Sequence, residues 1–143
     1  MLVPFFKAGL NNNEYCMWIT SEPIDDEKAM QMLTKHIPDF NKYLQREQVE
    51  IIPYSKWYLK SGKFNSSDVI NSWMKKIDLV TAKGFKGIRA SGNTTWLQKE
   101  DWQAFQEYER LLDKRICHLK MIAICTYQIS KCANYKSLNV MNN

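Results

Sequence analysis

The chain has 143 residues, a mass of 16.9 kDa and a net charge of +5. This length is that of one ordinary domain, and a hydrophobic fraction of 45% with only 5 glycines excludes collagen-like, low-complexity and disordered chains. No apolar run approaches the roughly 18 residues that span a bilayer, and the first residues lack the basic and small-residue features of a secretory signal. We therefore expect a cytoplasmic protein without a membrane partner.

Charge and cysteine usage argue against a nucleic-acid-binding protein and against a disulfide-bonded or zinc-binding one. Residues 1–71 carry a net charge of −1 and residues 72–143 carry +6, but the basic side chains are spread out and form no nucleic-acid motif. We expect a solvated basic face and no nucleic-acid partner. The four cysteines form no CxxC pair and should be reduced. The spacing of Cys117, His118, Cys125 and Cys132 fits no usual zinc template, so we expect no metal and no cofactor.

The first half of the chain predicts helices separated by two strands. An amphipathic helix over residues 2–8 should end at Gly9, a typical terminating residue. Residues 14–20 are apolar enough for a buried strand. Asp25 or Asp26 then caps a helix that runs to about residue 36, and a short helix follows over residues 40–45. Residues 49–54 predict a second strand, and residues 55–64 a loop that exposes Trp57 and Tyr58.

The second half alternates in the same way. Residues 65–67 offer caps for a helix that ends at about residue 83, before Gly84. A third strand is predicted over residues 85–90, followed by a polar loop over residues 91–96. A long helix over residues 99–115, a strand over residues 121–127 and a last helix over residues 130–140 complete the pattern.

Continuously apolar strands that alternate with helices indicate an α/β fold. We predict a three-layer sandwich with a mainly parallel sheet of about four strands, covered on both faces. In such sheets ligands bind outside the carboxyl ends of the strands. This edge should gather Thr20 and Ser21, residues 54–58, residues 91–96 and Tyr127.

The segment RASGNTTW, residues 89–96, is the most informative for function. It combines hydroxyl and amide groups with Gly92, whereas no phosphate-binding loop, dinucleotide fingerprint or GxSxG nucleophile elbow is present. Arg89 lies within an apolar strand and needs a partner, which is either a ligand or an acid such as Glu109. Tyr108 has the helical phase of a core residue. The candidate ligand-binding residues are Arg89, Ser91, Asn93, Thr94, Trp96, Glu109, Tyr127, Trp18 and Tyr54.

Several segments together resemble the MEDS family, the methanogen/methylotroph DcmR sensory domain. They are PFFKAGLNNNEYCMWIT, VEIIPYSKWYL, GFKGIRASGNTTWL, WQAFQEYE and MIAICTY. The resemblance covers about residues 3–135. Its most specific part is the motif G-[FY]-x-G-[IL]-R-x-[ST]-G-[NE]-x-x-W over residues 84–96, together with the pair Tyr108-Glu109 and the ending Cys125-x-Tyr127.

The resemblance implies a cytoplasmic sensory module that occurs with histidine kinases or in a transcriptional regulator. It also implies sensing of small hydrocarbon or methylated one-carbon derivatives, and a core related to RecA-like and clock-type ATPases without a phosphate loop. The structural motif positions are Gly84, Gly92, Tyr108 and Cys125. The residues carried over from the family are Arg89, Ser91, Gly92, Asn93, Trp96, Tyr108, Glu109, Cys125 and Tyr127.

Relative to the family pattern, the chain lacks the usual first strand and an output domain. We expect residues 1–143 to be one sensory domain shortened at its amino end. Loss of an interior strand would leave a gap in the sheet with unpaired backbone groups. Either a partner chain fills this gap, or the sheet closes up differently, or the chain is a degenerate fragment. Two alternatives to a non-enzymatic ligand sensor stay open: a self-associating interaction module that forms homodimers, and a residual nucleotide-binding protein.

Overall fold

The computed structural model describes residues 2–116 and 120–126. Its first half holds helix α1 (Leu2–Asn11), strand β1 (Tyr15–Thr20), helices α2 (Asp26–His36) and α3 (Phe40–Gln45), and strand β2 (Val49–Pro53). Its second half holds helices α4 (Tyr54–Trp57) and α5 (Ser66–Ala82), strand β3 (Ile88–Asn93), a 3-10 turn (Lys99–Asp101), helix α6 (Trp102–Ile116) and strand β4 (Met121–Thr126). The helix predicted over residues 130–140 and the last residue of the fourth predicted strand, Tyr127, lie outside the described residues.

The four strands form one parallel sheet in the order β2-β1-β3-β4. Helices α1, α2 and α3 pack on one face, and α4, α5 and α6 pack on the other. Strand β1 is buried along its whole length because helices cover both of its faces. The predicted three-layer α/β sandwich is confirmed. No helix in the described part of the chain is long and apolar enough to cross a bilayer.

The described strands leave no interior gap. Strands β3 and β4 pair directly from Ile88 opposite Met121 to Asn93 opposite Thr126. The backbone groups between these two strands are therefore satisfied within the chain. The relation to RecA-like ATPases stays a prediction from the resemblance.

Two predicted helix starts and one predicted end are confirmed by their capping geometry. The Asp25 side chain accepts a hydrogen bond from the Lys28 amide at 2.8 Å, and Asn65 accepts one from the Asp68 amide at 3.0 Å. Each bond satisfies an amide that has no partner inside its helix. Gly84 has a φ of +97°, the left-handed conformation that commonly follows a helix.

Gly9 does not end the first helix, contrary to the prediction. Helix α1 continues to Asn11, and Asn13 takes the left-handed conformation while the Glu14 amide bonds back to the Gly9 carbonyl at 2.9 Å. Gly9 is instead a site of close packing. A Cβ atom there would lie 2.6 Å from Cδ of Arg89 and 2.8 Å from Sγ of Cys16.

Two other expectations are wrong in detail. The predicted loop after β2 begins with helix α4, and Trp57 and Tyr58 are only 4% and 5% exposed. The Trp57 ring packs on Trp73 of α5, and the Tyr58 ring packs on Trp96 and on α6. The third strand begins at Ile88 and continues through Asn93, so the polar residues 91–93 belong to the sheet. They remain in the strand because their backbone groups pair with β4.

A buried ion pair joins α1 to the sheet. Arg89 donates from Nε to Oε2 of Glu14 at 3.1 Å and from Nη2 to Oε1 at 2.9 Å. It also donates from Nη1 to the Phe5 carbonyl at 3.4 Å. Of the two partners left open for Arg89, the structure shows an acid, but that acid is Glu14 and not Glu109. The guanidinium is thus satisfied within the protein.

We expect Arg89→Met to lower the free energy of unfolding by about 3–5 kcal/mol, because it leaves the Glu14 carboxylate buried without its partner. The double variant Glu14→Gln/Arg89→Met should recover much of this loss. Urea unfolding measures both. Glu107→Gln is the control, since it removes an exposed pair with Arg110 that contributes at most about 1 kcal/mol. If Arg89→Met and Glu107→Gln lower the free energy of unfolding equally, the stabilising role of the Glu14–Arg89 pair is contradicted.

Stability should also fall in acid. Burial would raise the pKa of Glu14, but hydrogen bonds from Arg89 and Asn12 hold it below the ordinary value of 4.5. Bonds from Lys76 and Tyr15 likewise outweigh burial at Glu50 and lower its pKa. Both carboxylates therefore stabilise the fold above pH 4.5, and this contribution is lost as the pH falls through their folded pKa values.

Urea unfolding at several values between about pH 7 and about pH 3 should show this decline. Glu50→Gln should make the decline shallower because one titrating carboxylate is gone. If the free energy of unfolding falls with pH equally steeply in Glu50→Gln and in the unmodified chain, the role of Glu50 is refuted.

Candidate functional site

At the carboxyl edge of the sheet, hydrogen bonds join the end of β3 and the segment after it to the segment after β1. The Asn93 amide donates to the carbonyls of Ser21 and Glu22 at 3.3 and 3.4 Å, and the Thr95 hydroxyl donates to the Glu22 carbonyl at 2.8 Å. The hydroxyls of Ser21 and Thr95 also share a hydrogen bond. Asn93, predicted to bind a ligand, therefore uses its side chain to join the two segments.

Trp96 and Tyr54, two further candidates, belong to an aromatic stack at the same edge. The Trp96 ring lies 4.8 Å from that of Tyr58 and 5.9 Å from that of Tyr54, and both pairs are stacked. Its Nε1 donates to the Asn93 carbonyl at 2.7 Å. Thr94 is buried beside it, and its carbonyl accepts from the Leu97 amide at 3.0 Å. Contacts within the protein thus hold these three side chains.

Two other candidates lie on the opposite face of the sheet. Trp18 stacks on Phe6 of α1 with ring centroids 5.5 Å apart, and Arg89 is held by Glu14. Neither faces the helices α5 and α6. Tyr127 lies outside the described residues.

The remaining predicted residues meet at a cavity of about 110 Å³ between the sheet and helix α6, here named the Tyr108 cavity. Ser91, Glu109 and the motif residues Gly92, Tyr108 and Cys125 all line it. These residues come from β3, α6 and β4, so the fold brings together positions that are up to 34 residues apart. The other described lining residues are Ile19, Tyr58, Trp73, Ala90, Leu112, Asp113, Met121, Ala123 and Ile124.

Small side chains on the sheet account for the volume of the Tyr108 cavity. Ala90, Gly92 and Ala123 lie on β3 and β4 beneath α6 and leave room that larger residues would fill. A Cβ atom at Gly92 would lie 3.0 Å from the Tyr58 hydroxyl and 3.5 Å from Cβ of Ile19. Gly92 therefore lets the Tyr58 hydroxyl approach the strand.

Tyrosine hydroxyls form the polar part of the wall. Trp73 donates from Nε1 to the Tyr108 hydroxyl at 2.8 Å. Burial raises the pKa of Tyr108 well above its ordinary value, although hydrogen bonds from Trp73 and Tyr58 act in the opposite direction. The Tyr108 phenol is therefore neutral at physiological pH and can donate or accept a hydrogen bond.

Ser91 lines the cavity from β3, but its hydroxyl lies on the other face of the sheet. Ser91 is two residues after Arg89 and opposite Trp18 of β1, and both of those side chains face α1. Ser91 is 2% exposed, and its hydroxyl has no hydrogen-bond partner among the residues that the structure describes. Leaving a buried hydroxyl unpaired costs about 1–3 kcal/mol.

Two acidic residues of α6 line the cavity. Glu109 and Asp113 are one helical turn apart on α6, and Asp113 is exposed. None of the described lining residues is Lys, Arg or His. Within the described ranges 2–116 and 120–126, no group of three or more His, Cys, Asp or Glu side chains is placed to hold a metal ion.

The sequence did not point to Trp73 or Asp113 as site residues, and it placed Tyr58 at the carboxyl edge of the sheet rather than at this cavity. Trp73 has the helical phase of a core residue, and Tyr58 follows a strand in a segment predicted to be exposed. For Asp113 a signal was present, because a residue four positions after Glu109 shares its face of the helix.

The comparisons with known proteins identify a family but no individual relative. No curated protein and no solved structure matches the chain. The family described as "MEDS: MEthanogen/methylotroph, DcmR Sensory domain" matches it over residues 1–143. The match covers the whole chain, including β3, α6 and β4, which carry the wall of the Tyr108 cavity. The chain therefore belongs to the MEDS family of sensory domains.

Proposed function

We propose that this chain is a non-enzymatic cytoplasmic sensory domain that binds a small molecule in the Tyr108 cavity. The occupied state would bias a conformational equilibrium read by a histidine kinase or a transcriptional regulator. The observation that carries the proposal is the meeting of five sequence-predicted positions, Ser91, Gly92, Tyr108, Glu109 and Cys125, at one cavity. Family membership supports the sensory role.

The size and lining of the cavity favour a small ligand with an apolar part. A cavity of about 150 Å³ holds one benzene molecule, so about 110 Å³ suits a somewhat smaller compound. Ile19, Leu112 and Met121 supply apolar surface, while Tyr108 supplies a polar contact. This mixture is typical of small-molecule sites, and it fits a small hydrocarbon or methylated one-carbon derivative.

Binding of such a compound should be weak. The best very small ligands gain about 1.5 kcal/mol per non-hydrogen atom, so a ligand of about four such atoms reaches a dissociation constant of about 40 μM at best. NMR titration of the labelled protein with methylated one-carbon compounds and small alcohols suits this range. Shifts confined to β3, α6 and β4 would support the Tyr108 cavity.

A variant that fills the cavity tests its role. Ala123 lines the cavity from an exposed position, so Ala123→Phe should block binding and change the melting temperature little. Ile122→Phe is the matched control, because Ile122 is the preceding residue of β4 and does not line the cavity. Unchanged ligand affinity in folded Ala123→Phe would rule out the cavity as the binding site.

Self-association is the second candidate function, and one observation favours it. Ile122 and Ile124 are 49% and 39% exposed on β4. An apolar pair of this kind is a usual component of an interface between copies of a chain. We expect light scattering to show a dimer whose fraction rises with concentration and falls in Ile122→Lys. A monomer at all concentrations would remove this candidate.

A further inference from the structure

The hydrogen bond between Trp73 and Tyr108 determines what the Tyr108 hydroxyl can still do. The indole Nε1 of Trp73 can only donate, so the Tyr108 oxygen, 2.8 Å away, is the acceptor in this bond. The proton of the Tyr108 hydroxyl takes no part in it and is available for a second hydrogen bond. A hydroxyl that already accepts a hydrogen bond is also a stronger donor, because linked hydrogen bonds polarise one another.

The described neighbours of Tyr108 do not take up this proton. Burial raises the pKa of Tyr108, whereas hydrogen bonds from Trp73 and Tyr58 lower it. Bonds with this effect are donated to the Tyr108 oxygen, because they stabilise the phenolate. Cys125 and Glu109 raise the pKa by their charge and not through a hydrogen bond. Among the residues that the structure describes, none accepts a hydrogen bond from Tyr108.

The rest of the cavity wall favours an uncharged acceptor. Tyr108 is 3% exposed, and none of the described lining residues is Lys, Arg or His. An anion in this position would be buried without a described cation beside it, which is costly. Ile19, Leu112 and Met121 offer apolar surface that suits alkyl groups. A neutral oxygen on a small alkyl frame therefore matches both the hydroxyl and the aliphatic part of the wall.

We propose that the Tyr108 hydroxyl donates a hydrogen bond to the ligand of the Tyr108 cavity, and that this ligand is a small neutral molecule with an acceptor oxygen, such as an ether, a ketone or an alcohol. The bond from Trp73 holds the hydroxyl in place for this role. The inference rests on the proposed function, because it names the ligand class of the same site. It separates such molecules from a plain hydrocarbon of the same size.

The test compares two saturated rings of nearly the same shape. Tetrahydrofuran carries an ether oxygen that only accepts hydrogen bonds, and cyclopentane carries no polar atom. Each is titrated into the full chain and followed by NMR, including the signal of the buried hydroxyl proton of Tyr108. We expect tetrahydrofuran to move this signal downfield as it binds, because the proton enters a new hydrogen bond. Cyclopentane should shift the resonances of β3, α6 and β4 without moving the hydroxyl proton downfield.

A variant without the hydroxyl separates the hydrogen bond from shape. Tyr108→Phe keeps the ring and should weaken tetrahydrofuran binding about three- to tenfold, the usual contribution of one neutral hydrogen bond, without weakening cyclopentane binding. Tyr15→Phe is the matched control. It removes another buried tyrosine hydroxyl, which donates to Glu50 at 2.6 Å and does not line the cavity, so both affinities should stay as they are. Circular dichroism verifies that both variants fold.

The results distinguish this proposal from the proposed function. If folded Tyr108→Phe binds tetrahydrofuran as tightly as the unmodified chain does, the hydrogen-bond proposal is overturned and the small-molecule cavity stands. The same holds if tetrahydrofuran shifts the resonances of the cavity wall but not the Tyr108 hydroxyl proton, a readout that needs no variant. If neither ring and no one-carbon compound shifts a resonance of the cavity wall, both proposals are overturned.

Discussion

The ion pair between Glu14 and Arg89 determines how the first helix lies on the sheet. Glu14 directly follows the turn that ends α1, and Arg89 lies on β3, so their contact joins the start of the chain to the centre of the sheet. Arg89 also bonds the Phe5 carbonyl, and Gly9 lets its side chain pass close to the helix. Because the Glu14 side chain is 7% exposed and the Arg89 side chain 17%, each charge needs the other, and this requirement couples α1, β1 and β3.

The two faces of the sheet consequently have different roles. The face that carries α1 contains the satisfied ion pair and a closely packed aromatic pair, Phe6 and Trp18. The face that carries α6 contains small residues such as Gly92 and leaves a cavity beneath Tyr108. At the carboxyl edge, the side chains of Asn93 and Trp96 bond to other protein segments, whereas the Tyr108 cavity lies between α6 and the sheet.

Local sequence patterns were sufficient to predict most of the fold. Apolar runs located the four strands, and Asp25 and Asn65 marked helix starts because capping depends on neighbours within three residues. The partner of Arg89 was not predictable, since Glu14 is 75 positions away. The burial of Tyr58 depends on Trp96, α6 and the sheet, which are distant in sequence and which no local pattern reports. Five cavity positions were found through the family motif, but the space itself results from missing side-chain atoms at residues such as Gly92.

The hydrogen bonds between the segments after β1 and β3 have a consequence for the rate of ligand exchange. Since Asn93 and Thr95 already join these two segments, neither segment would have to become ordered when a ligand enters the Tyr108 cavity. Under the proposed function, a weakly bound ligand would then leave quickly past the exposed residues Asp113 and Ile124. Such a domain would report the present concentration of its ligand rather than store a past exposure.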